Sequence, residues 1–354
     1  MERNSVGKSP RQPRLEDDSY ADYLTQVRNF AIKEWFPGVA GQVVTGAEAA
    51  NLPIIASTDE YADLKPVVDA LPAVNSWKRF MRSQQRMTWA KSLESYNKNR
   101  AHWITQLDQA EASNPGKLHR DENLKVPESA CQDIHLQPGG YCRDELAGFV
   151  FHHGTNVFYQ GDNNNDELNE LYADLLRPPE SGSLSKVLDL GCSIGQCTTA
   201  LKEKNPDAEV WGLDIGLPLL RYAHLRATDL GSDVHFQHAL AENAPFDDGS
   251  FDAVFAYILF HEVPEYSFQD IVAEVHRLLR PGGTFTVIDA PNGNALPAPN
   301  RMWLAFDAQY NCEPYSPAFV ASDFASILTQ AGFEGLEQGS TPTFLSMTTA
   351  VKPA

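Results

Sequence analysis

The chain has 354 residues, of which 42% are hydrophobic and 21% charged, and its formal net charge is −19. This composition is that of a globular protein, and the length exceeds the roughly 100 to 200 residues of one domain, so two structural units are expected. A chain this acidic repels polyanions, which argues against nucleic acid as a general partner. The longest apolar run, AVFAYILF at residues 253–260, is far shorter than the roughly 20 residues of a membrane-spanning helix, so no stable membrane insertion is expected.

The five cysteines are scattered along the chain and odd in number. A chain of this size is stable without disulfides, so free thiols in a reducing cytoplasm are expected. Two of them, Cys131 and Cys142, lie near His135 and His152 in the sequence, and thiolate and imidazole are ligands of zinc. Their spacings match no compact zinc pattern, so no metal is predicted.

The first 126 residues predict an arm followed by helices. Residues 1–15 contain prolines and basic side chains without an apolar run, which indicates a disordered arm. Residues 16–126 are interpreted as a mainly helical domain. Apolar side chains in 16–36 recur on one stripe and predict an amphipathic helix. Residues 76–112 contain neither proline nor glycine, which predicts one long helix or two separated by a kink.

The segment from Trp77 to Arg100 runs against the overall acidity, since seven lysines and arginines accompany a single glutamate. A solvated helix face is the simpler interpretation of this pattern. The alternative is that Arg79 and Arg82 attract an acceptor molecule that carries a negative charge.

Residues 127–180 change character and are predicted to form a layer of hairpin and loop with a linking helix. Short β-prone pieces flank QPGG, where Pro138 and Gly139 favour a tight turn, and DELNELYADLL resumes a helical pattern. This layer is a candidate lid over a ligand. Within it, His152 and Tyr159 are candidates for contact with the substrate, although packing inside the hairpin is the simpler explanation.

From residue 181 to 354, strand and helix patterns alternate, which is typical of a parallel sheet wrapped by helices. Helices are expected at about 197–204, 217–230, 267–279 and 322–331. The predicted strands are SKVLDLG, AEVWGLDI, DVHFQ, FDAVFAYI and GTFTVIDA, with a closing pair near GLEQGS and TFLSMTTAV. The fold class is therefore α/β, with a Rossmann-like sheet that carries helices on both faces.

The turn after the first of these strands, VLDLGCSIG, carries the strongest functional signal. Gly191 and Gly195 let the backbone pass close to a ligand, and the helix that follows presents free N–H groups. A dinucleotide site needs G-x-G-x-x-G, but Ser193 stands at the second glycine, so that fingerprint fails. Asp189 precedes the turn, and Asp214 ends the next strand, where a carboxylate can accept hydrogen bonds from ribose hydroxyls. This pair of acids indicates S-adenosylmethionine as the ligand.

Four stretches, VLDLGCSIG, WGLDIG, ENAPFDDGSFDAVFAYILFHEV and EVHRLLRPGGTFTVID, carry a family resemblance. In order and spacing they resemble the class I S-adenosylmethionine-dependent methyltransferases, and most closely the branch that methylates small molecules and quinones. The resemblance covers residues 184 to about 350. It implies a methyltransferase domain at 181–354 with S-adenosyl-L-methionine as cofactor. The cofactor-binding residues implied by the resemblance are Asp189, Gly191, Cys192, Gly195, Asp214, Ile215, Ala241, Glu242, Phe246 and Tyr257.

The resemblance places Asp214 against the ribose, and Ala241 and Glu242 against the edge of the adenine. Two residues depart from the family pattern. Ser193 replaces the middle glycine of the turn, which tolerates it if its φ angle stays negative. Leu240 replaces an acid that precedes the alanine in many relatives, so Glu242 is expected to take over recognition of the adenine amino group.

Methyl transfer from a sulfonium requires alignment more than a nucleophilic side chain, but a protic acceptor also needs a base. His261, with Glu262 beside it, is the candidate catalytic base, and a structural role in the next loop is the alternative. The insertion at residues 290–319 is expected to be loop-like and to cover the acceptor. Trp303 and Tyr310 are its candidate contacts, and packing against the N-terminal helices is the competing account.

The sequence therefore predicts an enzyme that methylates a small organic acceptor, without a metal or a nucleic acid partner. Two alternatives stay open. One is a protein that binds S-adenosylmethionine for regulation without catalysis. The other is a methyltransferase that acts on a protein or RNA, although the acidic charge disfavours RNA. The role of residues 1–180 and the oligomeric state, a homodimer included, are also open.

Overall fold

A computed structural model describes residues 6–9, 11–114, 117–292 and 295–354 of the chain. The strands are β1 Ile55–Ala56, β2 Leu118–His119, β3 Lys186–Leu190, β4 Glu209–Asp214, β5 Val234–His238, β6 Phe251–Tyr257, β7 Leu279–Asp289, β8 Leu296–Pro297, β9 Glu334–Ser340 and β10 Ser346–Val351. One sheet has the order β2-β5-β4-β3-β6-β7-β10-β9, and β1 pairs with β8 apart from it. Neighbours in the sheet are parallel except at β10, which runs antiparallel to both β7 and β9.

The helices are α1 Leu15–Asn29, α2 Phe36–Ala49, α3 Tyr61–Asp69, α4 Pro72–Asn97, α5 Arg100–Ser113, α6 Ala147–Phe158, α7 Glu167–Ala173, α8 Gln196–Lys204, α9 Leu217–Leu230, α10 Phe268–Leu278, α11 Ala298–Tyr310, α12 Ser316–Ala321 and α13 Phe324–Gln330. No helix in the described residues is both long and apolar enough to cross a membrane.

The central strands are buried on both faces, and this explains their nearly continuous apolar sequences. In β3, Val187 packs into one hydrophobic cluster while Leu188 and Leu190 pack into another, because successive side chains of a strand point to opposite faces. Helices α7, α8 and α9 contribute to the first cluster, and α10 and α13 contribute to the second. The predicted α/β sheet with helices on both faces is confirmed.

The helix predicted at 16–36 is present and extends further along the chain. After α1, residues Phe30–Trp35 form a π-helical stretch that leads directly into α2. Pro37 lies in the first turn of α2, directly after the π-helical stretch, and the helix continues through it. Of the two forms predicted for 76–112, the structure has two helices, α4 and α5, which separate near Asn99.

Residues 147–158 form α6 rather than part of the predicted hairpin. The glycines in this stretch serve close helix packing instead of turns. A Cβ on Gly148 would lie 2.2 Å from Tyr222 Cβ, and one on Gly154 would lie 1.7 Å from the Trp89 ring. Neither position accepts a larger side chain. Long-range contacts of this kind leave no trace in the local pattern, which explains the wrong prediction.

The insertion at 290–319 contains α11 and α12 and is therefore not the predicted loop. Its prolines mislead because Pro299 and Pro317 lie in the first turns of these helices, where proline is well tolerated. Met302 and Phe306 of α11 are buried in a cluster with side chains of the N-terminal helices.

Residues 6–9, predicted to belong to a disordered arm, lie against segments that come much later in the chain, whereas Gln12 and Arg14 pair with Asp18 and Asp17 at the start of α1. The Val6 side chain is buried, and its N–H donates to Asp229 Oδ2 at 2.9 Å. Lys8 forms ion pairs with Glu170 at 2.6 Å and with Glu203 at 2.8 Å. Because these partners are distant in sequence, composition alone did not reveal them.

Candidate functional site

The turn between β3 and α8 lies at the carboxyl edge of the sheet. Gly191 has φ 75° and Gly195 has φ 71°, in the left-handed region that suits glycine. A Cβ on Gly191 would lie only 2.8 Å from Leu259 Cδ1. Ser193 has φ 50°, so the expectation of a negative φ there is wrong. The Ser193 N–H donates to Asp214 Oδ2 at 2.8 Å, which helps offset a left-handed strain of about 1–2 kcal/mol.

Asp189 and Asp214 lie near the ends of neighbouring parallel strands and line the same cavity. Asp189 is buried and accepts a hydrogen bond from Thr198 Oγ1 at 2.6 Å. Burial raises the pKa of Asp189 to about 7, against the lowering effect of the Thr198 hydroxyl. Asp214 also accepts the Gly216 N–H at 2.7 Å, and burial raises its pKa despite these backbone bonds. Each Asp214 oxygen keeps a lone pair for a ligand hydroxyl.

The same turn offers a polar atom to a ligand. The Ser193 hydroxyl is buried on the cavity wall and has no hydrogen-bond partner within the part of the chain that the structure describes. A buried polar atom is costly unless a ligand or water satisfies it. Together with the glycine turn and the free lone pairs of Asp214, this donor set fits the hydroxyl and amino-acid groups of S-adenosylmethionine.

A cavity of about 180 Å³ joins this turn to the helical half of the chain. The predicted cofactor residues on its sheet-edge wall are Asp189, Gly191, Cys192, Asp214, Ile215 and Tyr257. The apolar and aromatic residues contributed by segment 129–159 are Ala130, Ile134, Tyr141, Phe151, Phe158 and Tyr159. The hydroxyls of Tyr159 and Tyr257 lie 3.2 Å apart, so the two walls meet there. Gly195 precedes α8 and does not line the cavity; a Cβ there would lie 2.9 Å from the Phe236 ring.

A buried cluster of charges adjoins the apolar wall. His135 Nε2 lies 3.3 Å from Glu262 Oε1, and His135 Nδ1 lies 2.7 Å from Glu313 Oε1. Burial lowers the pKa of His135, but the negative charges of Glu313 and Glu262 outweigh burial and raise it well above its usual value. His135 and Glu262 line the cavity, whereas Glu313 lies behind His135.

His261, the predicted base, is buried beside this cluster and does not line the cavity. Its Nδ1 lies 2.5 Å from Asp289 Oδ1, and its Nε2 lies 3.7 Å from Glu262 Oε1. Burial lowers the pKa of His261, but the charges of Asp289 and Glu262 raise it to about 9. The ring is therefore an imidazolium held between carboxylates, with neither nitrogen free to accept a proton from an acceptor.

The predicted adenine-binding segment lies outside the cavity. Ala241 packs into a hydrophobic cluster, and Glu242 is partly exposed. Phe246 packs against Trp211 at 5.1 Å and Phe251 at 5.0 Å between ring centroids. Because Phe251 begins its strand, Phe246 lies toward the amino-terminal edge of the sheet, opposite the cofactor turn.

Of the predicted acceptor contacts, Tyr159 lines the cavity. His152 is fully buried, and its Nδ1 lies 2.7 Å from the Tyr222 hydroxyl, on another face of α6. Trp303 packs against Trp77 with ring centroids 4.9 Å apart. The competing account of core packing therefore describes Trp303 and His152.

The basic helix face also lies away from the cavity. Arg79 is exposed, and the Arg82 guanidinium lies 5.7 Å from the centre of the Tyr310 ring. None of these three residues lines the cavity. Further along α4, Gln85 and Trp89 donate to the backbone carbonyl of His135 at 3.1 and 2.6 Å.

The residues considered for zinc do not converge. Within residues 6–9, 11–114, 117–292 and 295–354, no three His, Cys, Asp or Glu side chains are arranged to hold a metal ion. Cys142 Sγ donates to the Ala130 carbonyl at 3.3 Å, and Cys131 is a free thiol.

The sequence interpretation missed Thr198 and Glu313 and considered His135 only as a zinc ligand. Thr198 has a local signal, since it lies in the first turn of the helix after the glycine turn. Glu313 and His135 have none, because they meet each other only through the packing of distant segments.

The profile of a family described as a methyltransferase domain matches residues 187–283. An O-methyltransferase of Penicillium expansum is 31% identical over 214 residues, which cover 58% of this chain and 72% of that protein. A demethylmenaquinone methyltransferase of Thermus thermophilus is 38% identical over 106 residues, or 30% of this chain. The chain covers about half of that relative's length, 47%.

Among solved structures, a candidate O-methyltransferase from Nostoc punctiforme superposes with a TM-score of 0.50 at 19% identity, covering 76% of this chain and 72% of that one. That likeness supports the fold. The chain belongs to the class I S-adenosylmethionine-dependent methyltransferases. Members of this class take their methyl group from S-adenosyl-L-methionine, and the relatives named above are methyltransferases.

Proposed function

We propose that this enzyme methylates a small organic acceptor bound between the sheet edge and segment 129–159. The observation that carries the proposal is the single cavity that has Asp189 and Asp214 on one wall and aromatic side chains on the facing wall. A donor held by the turn and an acceptor held by the aromatic wall would share that space. Relatives named for demethylmenaquinone and for O-methylation agree with a small acceptor.

In this proposal the chain binds and aligns the two reactants. Bound S-adenosylmethionine supplies an already activated methyl group as a sulfonium. Asp214 accepts hydrogen bonds from ribose hydroxyls, while Asp189 and the Ser193 hydroxyl bind the amino-acid part. The ring faces of Tyr159 and Tyr257 favour positive charge in the cavity. Alignment of this kind is the main source of rate for an in-line transfer.

The cavity favours an acceptor with an apolar body. Ile134, Phe151 and Phe158 offer no hydrogen bonds, so they select hydrophobic surface. The finer expectation of an anionic acceptor depends on Arg79 and Arg82, which lie outside the cavity. The proposal therefore needs no negative charge on the acceptor.

Two further expectations accompany the proposal. All five cysteines are free thiols, and we infer that the enzyme works in a reducing cytoplasm, where thiols persist. Coverage of the cavity by segment 129–159 favours a small molecule over a protein or RNA acceptor, because a macromolecule needs an open surface.

The test is to incubate the purified enzyme with methyl-labelled S-adenosylmethionine in two parallel reactions. One contains a metabolite extract and the other contains a macromolecular fraction. We expect label in a low-mass product. Calorimetry with S-adenosylhomocysteine measures binding in parallel. Binding without transfer to either fraction would favour the regulatory alternative, and label in the macromolecular fraction would contradict a small acceptor.

A further inference from the structure

Glu262 differs from the other carboxylates that line the cavity. Asp189 lies in β3 and Asp214 ends β4, both beside the glycine turn, whereas Glu262 lies on the loop after β6, beside the apolar wall. Its backbone N–H donates to the Leu259 carbonyl at 3.0 Å, and Leu259 packs over Gly191. Glu262 is thus one short turn away from the residue that covers the glycine turn.

Two imidazole rings hold the Glu262 carboxylate. His135 Nε2 lies 3.3 Å and His261 Nε2 lies 3.7 Å from the same oxygen, Oε1. Each ring is anchored on its other nitrogen by a second carboxylate, Glu313 at 2.7 Å and Asp289 at 2.5 Å. The pKa of each ring lies above its usual value, so both carry a proton at neutral pH and neither can accept another.

The backbone at His135 is held in an uncommon conformation. His135 has φ 55° and Leu136 has φ 64°, in the left-handed region that non-glycine residues rarely adopt. The side chains of Gln85 and Trp89, both on α4, donate hydrogen bonds to the backbone carbonyl of His135. Strain that the surroundings maintain in this way is concentrated at functional sites.

The chemistry of the acceptor decides whether a base is needed. A neutral amine can take a methyl group and remain a stable cation. A hydroxyl that takes a methyl group becomes an acidic oxonium unless its proton leaves during transfer. A proton acceptor beside the cavity therefore indicates an acceptor group that loses a proton during transfer, and a hydroxyl is such a group.

We propose that Glu262 is a catalytic residue that removes the proton of an acceptor hydroxyl, with His135 and His261 as positioning residues. As the oxygen–methyl bond forms and the sulfur–methyl bond breaks, the O–H bond breaks and its proton goes to a Glu262 carboxylate oxygen. The products are a methyl ether, the neutral thioether and protonated Glu262, which then loses its proton to water. This inference rests on the proposed function.

Two readouts test it, and one is independent of turnover. In the cofactor-free enzyme labelled with ¹⁵N-histidine, NMR titration reports the protonation of His135 and His261. Glu262→Gln removes a negative partner from both rings, so both should titrate at lower pH. Glu265→Gln, an exposed site on the same loop, is the matched control and should shift neither ring. Unmoved titrations in Glu262→Gln would overturn the contact on which the inference depends.

The second readout uses ¹³C-methyl S-adenosylmethionine and the metabolite extract. We expect the label on oxygen in the product, and Glu262→Gln should lower kcat by about 10²-fold or more with cofactor affinity unchanged. Glu262→Asp should keep part of the native rate, and the control Glu265→Gln should keep all of it.

The outcomes separate the two proposals. If the native enzyme transfers no methyl group, the proposed function and this inference both fail. If it transfers methyl to nitrogen or carbon, or if Glu262→Gln keeps the native kcat, the proposed function stands and the role of Glu262 is overturned.

Discussion

Replacement of Asp214 by alanine tests the cofactor site most directly. Asp214 accepts the N–H groups of Ser193 at 2.8 Å and Gly216 at 2.7 Å. Alanine leaves these two buried donors unpaired, at about 1–3 kcal/mol each, and deletes the proposed ribose bonds, worth about 1.5–3 kcal/mol when an acceptor is charged. We expect the affinity for S-adenosylhomocysteine to fall at least about tenfold, equivalent to about 1.4 kcal/mol, and the free energy of unfolding to fall as well.

Isothermal titration calorimetry measures the affinity, and urea denaturation measures the stability. Asp214→Asn keeps one oxygen acceptor in the turn, so it should lose less stability than Asp214→Ala. Asp207→Ala, an exposed site in the loop before β4, is the control and should change neither quantity. Native affinity in Asp214→Ala would remove Asp214 from the cofactor site. A loss of stability alone would show that the carboxylate only shapes the turn.

Three other predictions concern single groups. Gly191→Ala and Gly182→Ala both place alanine at positive φ, but only at Gly191 would the new Cβ lie 2.8 Å from Leu259. Urea denaturation should therefore show that Gly191→Ala loses about 1–3 kcal/mol more stability than Gly182→Ala. Equal losses in the two variants would contradict that contact. In the cofactor-free enzyme the pKa of Asp189 is raised to about 7, above its unfolded value, so its contribution to stability is full at low pH and is lost as pH rises between about 4 and 7. Asp189→Asn should remove this dependence from urea denaturation measured across that range, and an identical pH profile would count against the raised pKa. Arg79→Glu should leave the Michaelis constant of the acceptor within twofold of native, because Arg79 is exposed outside the cavity; a marked rise would revive the anionic acceptor.

The sheet could be predicted because its signals are local. Apolar runs such as FDAVFAYI indicate strands that are buried on both faces of a parallel sheet, and this signal does not depend on which helices cover the sheet. The turn that contains Gly191 and Gly195 is likewise recognisable from neighbouring residues alone. The same holds for Asp189 and Asp214, since parallel strands bring their carboxyl ends to one edge. Asp189, Asp214 and Gly191 line the cavity, and Gly195 shapes the turn beside it, so residues near one another in the sequence were enough to predict their positions.

Side chains whose surroundings come from other segments were harder to place. Phe246 looks like a ring near the adenine, but its direction depends on Trp211 and Phe251, and it packs away from the cavity. Gly148 and Gly154 lie in a segment predicted as hairpin and loop, whereas in the fold they let neighbouring side chains pack closely against α6.

By itself the sequence determined the α/β architecture, the glycine turn and the position of Asp189 and Asp214 at one edge of the sheet, because each depends on residues close together in the chain. Only the tertiary structure decided where a proton can go. His135, Glu262 and Glu313 come from three separate segments, and the attraction between His135 and Glu313 raises the pKa of the histidine and lowers that of the glutamate. A pKa depends on the distance to other charges and to water, and those distances exist only once the chain has folded.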